Sequence, residues 1–199
     1  MVTDMIHRKD RLIITSIDII DELGIQGLST REIAKRQGVT EATLFRHYKS
    51  KNDLIIAVLD CFSQFDSDIF QSTQYKELPP TEAITYMITV YAEYYENYPA
   101  ITSILHAFDV LRSEPGLMDK INDIFHTRSG FIRQLVVEAQ SAGEIASGVD
   151  SENFSDMLWG LCREISLKWR IDGRVFPLKE RILSALNMVL DAYKPALHA

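Results

Sequence analysis

Apolar side chains recur every three or four residues along nearly the whole of this 199-residue chain, and no stretch shows convincingly the period of two that a half-buried strand requires. Ile13, Ile17, Ile20 and Leu23 begin the pattern; Leu54, Val58, Phe62 and Phe65 continue it. Nine glycines, all isolated, and six prolines leave little material for β-turn series or Gly-rich phosphate loops. The expectation is an all-α fold of about nine helices.

Breakers and caps place the boundaries. The first helix stops at Gly24, and Ser29-Thr30-Arg31-Glu32 has the form of a capping box, in which Ser accepts from the amide three residues on and Glu reaches back. That short helix ends near Gln37-Gly38, where glycine can take the left-handed turn. Thr40 then caps another short helix running to about Tyr48. Ser50 and Asp53 open a longer helix, and the polar stretch 71–80, beyond Phe70, is the best boundary in the chain. Helices of about 81–97, 99–111, 117–141, 151–172 and 177–194 follow, with a loop at 142–150. The expected organisation is a head, residues 1–51, and a body, residues 52–199, sharing the helix that starts at Lys51.

The net charge of −7 conceals a split, with +2 on residues 1–51 and −9 on the remainder. A mildly basic head on an acidic body is compatible with DNA, because counter-ion release depends on cations at the contact face. No stretch approaches a membrane span of about 18 apolar residues, and residues 1–9 lack a signal peptide's apolar core, so a cytoplasmic protein is expected. Cys61 and Cys162 have apolar neighbours and are expected to be buried free thiols.

Residues 28–51, LSTREIAKRQGVTEATLFRHYKSK, read as a helix-turn-helix. Such a unit needs a scaffold helix, a glycine turn and a second helix whose exposed N-terminal side chains reach base edges. Thr30, Arg31, Thr43, Arg46, His47, Lys49 and Lys51 supply donors at those places, over packing from Ile33, Ala34, Val39, Leu44 and Tyr48. Arg8, Lys9 and Arg11 lie at the start of the first helix, where the macrodipole disfavours cations; DNA-backbone anchoring or a solvated terminus would account for them.

At these residues the chain resembles the TetR family of transcriptional regulators, from about Arg11 to Leu54. The specific part is Thr30-Arg31-Glu32-Ile33-Ala34, Gly38-Val39-Thr40, and the run from Thr43 through Lys51. The resemblance implies a homodimer whose heads lie in successive major grooves of a double-stranded DNA operator and whose body binds a small-molecule effector. It places Arg31 and Thr43 at bases or adjacent phosphates, and His47 and Lys51 at phosphates, with Ala42 part of the same surface. Phe45 departs from a phosphate-bonding tyrosine common in the family. Glu41 either accepts from a cytosine amino group or faces solvent and assists the helix N-terminus, and the second is expected.

In the body, Phe62, Phe65, Tyr86, Met87, Tyr91, Tyr94, His106, Phe108, Phe125, Phe131 and Trp159 are candidates to face the interior. From these, Phe62, Phe65, Tyr86, Met87, Tyr91, His106, Phe125 and Trp159, with Arg163, are candidate pocket residues, against ordinary core packing. Phe154, Leu158, Leu161 and Ile165, then Ile182, Leu186, Val189 and Tyr193, form stripes that suit monomer core or a four-helix dimer interface; two-fold symmetry favours the latter.

Catalytic motifs are not found. Histidines 7, 47, 106, 126 and 198 lack zinc-protease spacing, neither cysteine sits in a Cys-x-x-Cys pair, and no P-loop or dinucleotide fingerprint occurs, so no metal or cofactor is expected. A helical enzyme with a non-local site remains an alternative. So does a DNA-bound architectural dimer engaging a protein partner, since the chain also looks like nucleoid-occlusion members of the family.

Overall fold

A computed structural model describes residues 8–195; His7, His198 and the first seven residues of the signal-peptide expectation lie outside them. The described residues contain ten helices and no strand: α1 (Arg8–Gly27), α2 (Thr30–Arg36), α3 (Glu41–Phe45), α4 (Lys51–Tyr75), α5 (Pro80–Asn97), α6 (Ile101–His106), α7 (Phe108–Arg112), α8 (Met118–Ser141), α9 (Ser151–Ile171) and α10 (Leu178–Ala192). None is long and apolar enough to cross a membrane.

The chain divides into two units. One comprises Met1–Gln64 and Pro99–Asp123, the other Phe65–Tyr98 and Ile124–Ala199. Helix α4 supplies residues 51–64 to the first and 65–75 to the second.

In the first unit, α1 packs on α2 and α6, while α2 packs on α3. The apolar stripe of α1 (Leu12, Ile17, Ile19, Ile20) is buried, with Ile33, Leu44, Leu54, Val58, Ile101 and Ile104 also in the core. Phe62 lies edge-on to Phe108 at 5.5 Å between centroids. In the second unit α10 packs on α5 and α9. Ile84, Met87, Ile88, Leu158, Ile182 and Leu186 are buried there.

Four boundaries differ from expectation. Helix α3 ends at Phe45 rather than near Tyr48; the His47 amide closes an i→i+3 turn onto Leu44 O at 2.8 Å. The helical assignment of α1 crosses Gly24, which is itself non-helical (φ +71°, ψ 178°), so the long helix breaks at the predicted glycine and a short turn resumes. The stretch 99–111 is two helices, because Ala107 closes an i→i+3 turn onto Ile104 at 3.1 Å. No glycine or proline marks that break. Helix α4 continues into the polar stretch because Thr73 is buried and its hydroxyl donates to the Ile69 carbonyl at 2.8 Å, extending the inner stripe by a turn.

Cys162 is buried, but Cys61 is exposed, contrary to expectation. It lies one residue from Phe62 and thus on a different face of α4 from the core stripe.

Candidate functional site

Local chemistry fixes the two short helices of the first unit. Ser29 Oγ accepts from the Glu32 amide at 3.1 Å and Thr40 Oγ1 from the Thr43 amide at 3.2 Å, so each N-terminus is capped. The reciprocal half of the predicted capping box is replaced by a different contact. The Glu32 carboxylate turns to Arg36 Nε at 3.0 Å and Lys35 Nζ at 3.7 Å. Between the helices Gly38 has φ +62°. Its amide donates to Lys35 O at 3.2 Å and that of Val39 to Ala34 O at 3.0 Å, a Schellman closure that requires the left-handed residue.

Polar ties hold this pair to α1. Arg36 Nη2 meets Glu22 at 2.8 Å, and Gln37 Nε2 donates to Thr15 Oγ1 at 2.5 Å. Hydrogen bonds to Glu22 and Glu32 raise the Arg36 pKa, and its bond to Glu32 lowers that of the carboxylate. Beneath them Ile33, Ala34, Leu44 and Tyr48 are buried and Val39 is half-buried. Burial pushes the Tyr48 hydroxyl up to about 12, and Lys9 Nζ stands 5.5 Å from its ring centroid.

The opposite face is open. Arg31, Glu41, Ala42, Phe45, Arg46, His47 and Lys49 are exposed, while Thr30, Thr43 and Lys51 are half-exposed. Thr30 Oγ1 donates to Glu41 Oε2 at 2.6 Å, and the Thr40 and Thr43 hydroxyls lie 3.1 Å apart. Arg8 and Lys9 are exposed and Arg11 is half-buried. The result is a capped two-helix platform presenting hydroxyl and cationic groups over a buried underside.

The residues considered for a pocket fall in both units. In the first, Phe62 is core and His106 half-exposed. In the second, Met87 and Tyr91 are buried, Trp159 is half-buried, Phe65 stacks on Tyr94 with centroids 3.6 Å apart, and Lys76 lies over the Tyr86 ring. Phe125 and Arg163 are exposed, and Phe125 lines an open cleft of about 340 Å³ with His126, Arg133, Glu152 and Asp156. Of the α9 and α10 stripes, Phe154, Leu158, Ile182 and Leu186 are buried within the single chain. Leu161, Ile165 and Val189 are half-exposed and Tyr193 is exposed.

Sequence reasoning missed the polar centre of the second unit. Arg128 and Asp66 are both buried and form a bidentate pair, Nε to Oδ2 at 2.7 Å and Nη2 to Oδ1 at 2.5 Å. Tyr91 donates to the same carboxylate at 2.8 Å; the guanidinium lies 4.9 Å from the Tyr91 ring and 5.6 Å from that of Trp159. Burial would lower the Arg128 pKa, but Tyr95, Tyr91 and Asp66 together outweigh it and raise it. Burial drives Tyr91 well above its ordinary value and Tyr95 to about 12. A signal was present: Asp66 falls four residues after Phe62, and Arg128 lies midway between Ile124 and Ile132, so each interrupts an apolar stripe with the opposite charge.

Comparison with known proteins agrees with this geometry. The sequence profile described as "Bacterial regulatory proteins, tetR family" matches residues 14–58, which hold the two-helix platform, and that described as "YsiA-like protein, C-terminal region" matches residues 62–192. The fatty acid metabolism regulator protein of Bacillus subtilis is 22% identical over 193 residues, 94% of each chain. A nucleoid occlusion factor of Vibrio campbellii is 24% identical over 162 residues, 81% of this chain and 68% of that protein. The solved structure of the B. subtilis regulator FadR in complex with stearoyl-CoA superposes with a TM-score of 0.76 at 20% identity, covering 96% of this chain and all of that one. Profiles matching both the DNA-reading head and most of the helical remainder leave no ambiguity of kinship: the chain belongs to the TetR family of bacterial transcriptional regulators.

Proposed function

We propose that this protein is a homodimeric repressor that binds a pseudo-palindromic operator and is released from it by a fatty acyl-CoA thioester. Residues 1–51 would read DNA, and residues 52–199 would bind the effector and the second copy. The observation that carries the reading is the two-helix platform, whose capped, exposed face and buried underside suit major-groove insertion. The acyl-CoA class is supported by the named metabolism of one relative and the ligand in the other's structure. Arg31, Thr43 and Arg46 would meet bases or neighbouring phosphates, and His47, Lys49 and Lys51 phosphates. Two such heads on one DNA face would stand roughly 34–36 Å apart. For the dimer contact, the exposed or half-exposed Leu161 and Ile165 on α9, Val189 on α10 and Tyr193 just after it remain available.

Release requires differential affinity. A ligand binding DNA-competent and incompetent conformations equally shifts nothing, and hundredfold release takes about 2.7 kcal/mol of difference. Genome-wide footprinting, followed by operator titration with a chain-length series of acyl-CoAs, tests the proposal. A few sites beside acyl-metabolism genes, with release by one chain-length range, are expected. Acyl-CoAs that raise the melting temperature but leave operator affinity unchanged would overturn the effector assignment. Similarity to nucleoid occlusion factors supports a second reading, a DNA-bound dimer engaging a protein partner. Many dispersed sites and DNA-dependent capture of a protein would favour it.

A further inference from the structure

The reading face contains a contact that neither short helix needs for its own closure. Thr30 is the first residue of α2 and Glu41 the first of α3, and their N-termini are already capped by Ser29 and Thr40. Nevertheless Thr30 Oγ1 donates to Glu41 Oε2 at 2.6 Å, tying the supporting helix to the recognition helix at the exposed surface. A glutamate there carries negative charge toward a polyanion, which works against phosphate binding. Held by a single hydroxyl, the carboxylate still has acceptor positions on both oxygens.

We propose that Glu41 determines operator specificity by accepting a hydrogen bond from the N4 amino group of a cytosine, with Thr30 as the positioning residue that fixes the carboxylate. This rests on the DNA-binding reading and deepens it. An ionised carboxylate only accepts, so guanine, with its N7 and O6 acceptors, and thymine, with its O4, are repelled. Adenine offers its N6 donor beside the N7 acceptor, which opposes the second carboxylate oxygen. Cytosine presents a donor to the major groove with no acceptor on its own base edge, the neighbouring acceptor being O6 of the paired guanine, which already receives a hydrogen bond from that amino group. The Thr30 bond removes rotamer freedom from Glu41 before DNA arrives, so less ordering entropy opposes the contact.

The test is selection from a pool of randomised duplexes by the full chain and its Glu41→Gln, Glu41→Ala and Thr30→Val variants, with melting curves as the folding control. Glu41→Gln keeps an acceptor for Thr30 while replacing the charge by an amide donor. The wild type is expected to enrich cytosine at one position per half-site, by about 5- to 150-fold over other bases. Glu41→Gln should move that preference to adenine, which glutamine bonds bidentately, and Glu41→Ala should abolish it. Thr30→Val should keep cytosine as the preferred base but discriminate less than the wild type. If the wild type yields a motif and both Glu41 variants shift no position by more than about twofold, Glu41 is structural and the proposal fails while DNA recognition stands. A wild type that enriches no motif overturns both. A Thr30→Val profile identical to wild type removes the positioning role.

Discussion

The head and the second unit use the same chemical groups under opposite conditions. On the helix-turn-helix face, Arg31, Arg46 and Lys49 are exposed and Glu41 is held by a hydroxyl. In the second unit, Arg128 and Asp66 are bidentate partners inside a shell of Tyr91 and Trp159. Water solvates the first set, so those charges are cheap to keep and remain available to a ligand. The second set has lost its water, and each charge is tolerable only because the other is present. Side chains in the first set can therefore be altered with loss of binding and little loss of fold, and those in the second with the reverse.

The largest effect should come from separating the buried pair. Arg128→Met leaves the Asp66 carboxylate without its cation and should cost about 3–5 kcal/mol in urea unfolding, while adding Asp66→Leu to the same chain should recover most of it. A single variant as stable as wild type would break the comparison at its stronger end.

Next in size is an alkaline loss of stability. The Cys162 thiol, ordinarily near 9, is pushed up by burial to about 12. Between those values the unfolded chain has released the proton and the folded one has not, so the stability contributed below pH 9 is lost as pH climbs toward 12, by roughly 2–4 kcal/mol. Tyr95 adds to the loss above pH 10, and so does Tyr48 in the head. Cys162→Ala should flatten the onset between pH 9 and 10 in melting temperatures recorded against pH; an unchanged onset would show that another group drives it.

Arg31→Ala should weaken operator binding by about 1–3 kcal/mol and relax sequence preference, with the denaturation midpoint unmoved. Competition against random duplex separates this from a general loss of affinity. A large drop in stability would mean that the exposed arginine belongs with the buried pair rather than with the reading face.

Lys51→Ala should have the smallest effect. It should weaken specific and random DNA alike and reduce the slope of log affinity against log salt by about one unit. If Arg31 and Lys51 variants behave identically in both assays, the distinction between base-reading and phosphate-holding groups within the head collapses.

Much of the head could be read residue by residue, because its determinants are local. Ser29, Thr40 and Ser50 each bond an amide three residues on, and Gly38 adopts the conformation that its position demands. Such interactions span less than one turn of chain, so their spacing in sequence is their spacing in space. The same reasoning misplaced the Glu32 contact, where a carboxylate could choose between an amide behind it and Arg36 one turn ahead, and it overlooked the turn at Ala107.

What the sequence determined by itself was the all-helical class, the capped helix-turn-helix and the family, all written in residues a few positions apart. Tertiary structure alone decided that Asp66 meets Arg128 across 62 residues, that Thr30 holds Glu41, and that α6 and α7 group with the head's unit. The reason is physical. A helical stripe specifies which face is buried but not which other stripe will cover it, so pairing between distant helices is settled only when side chains of particular volume and charge are packed together.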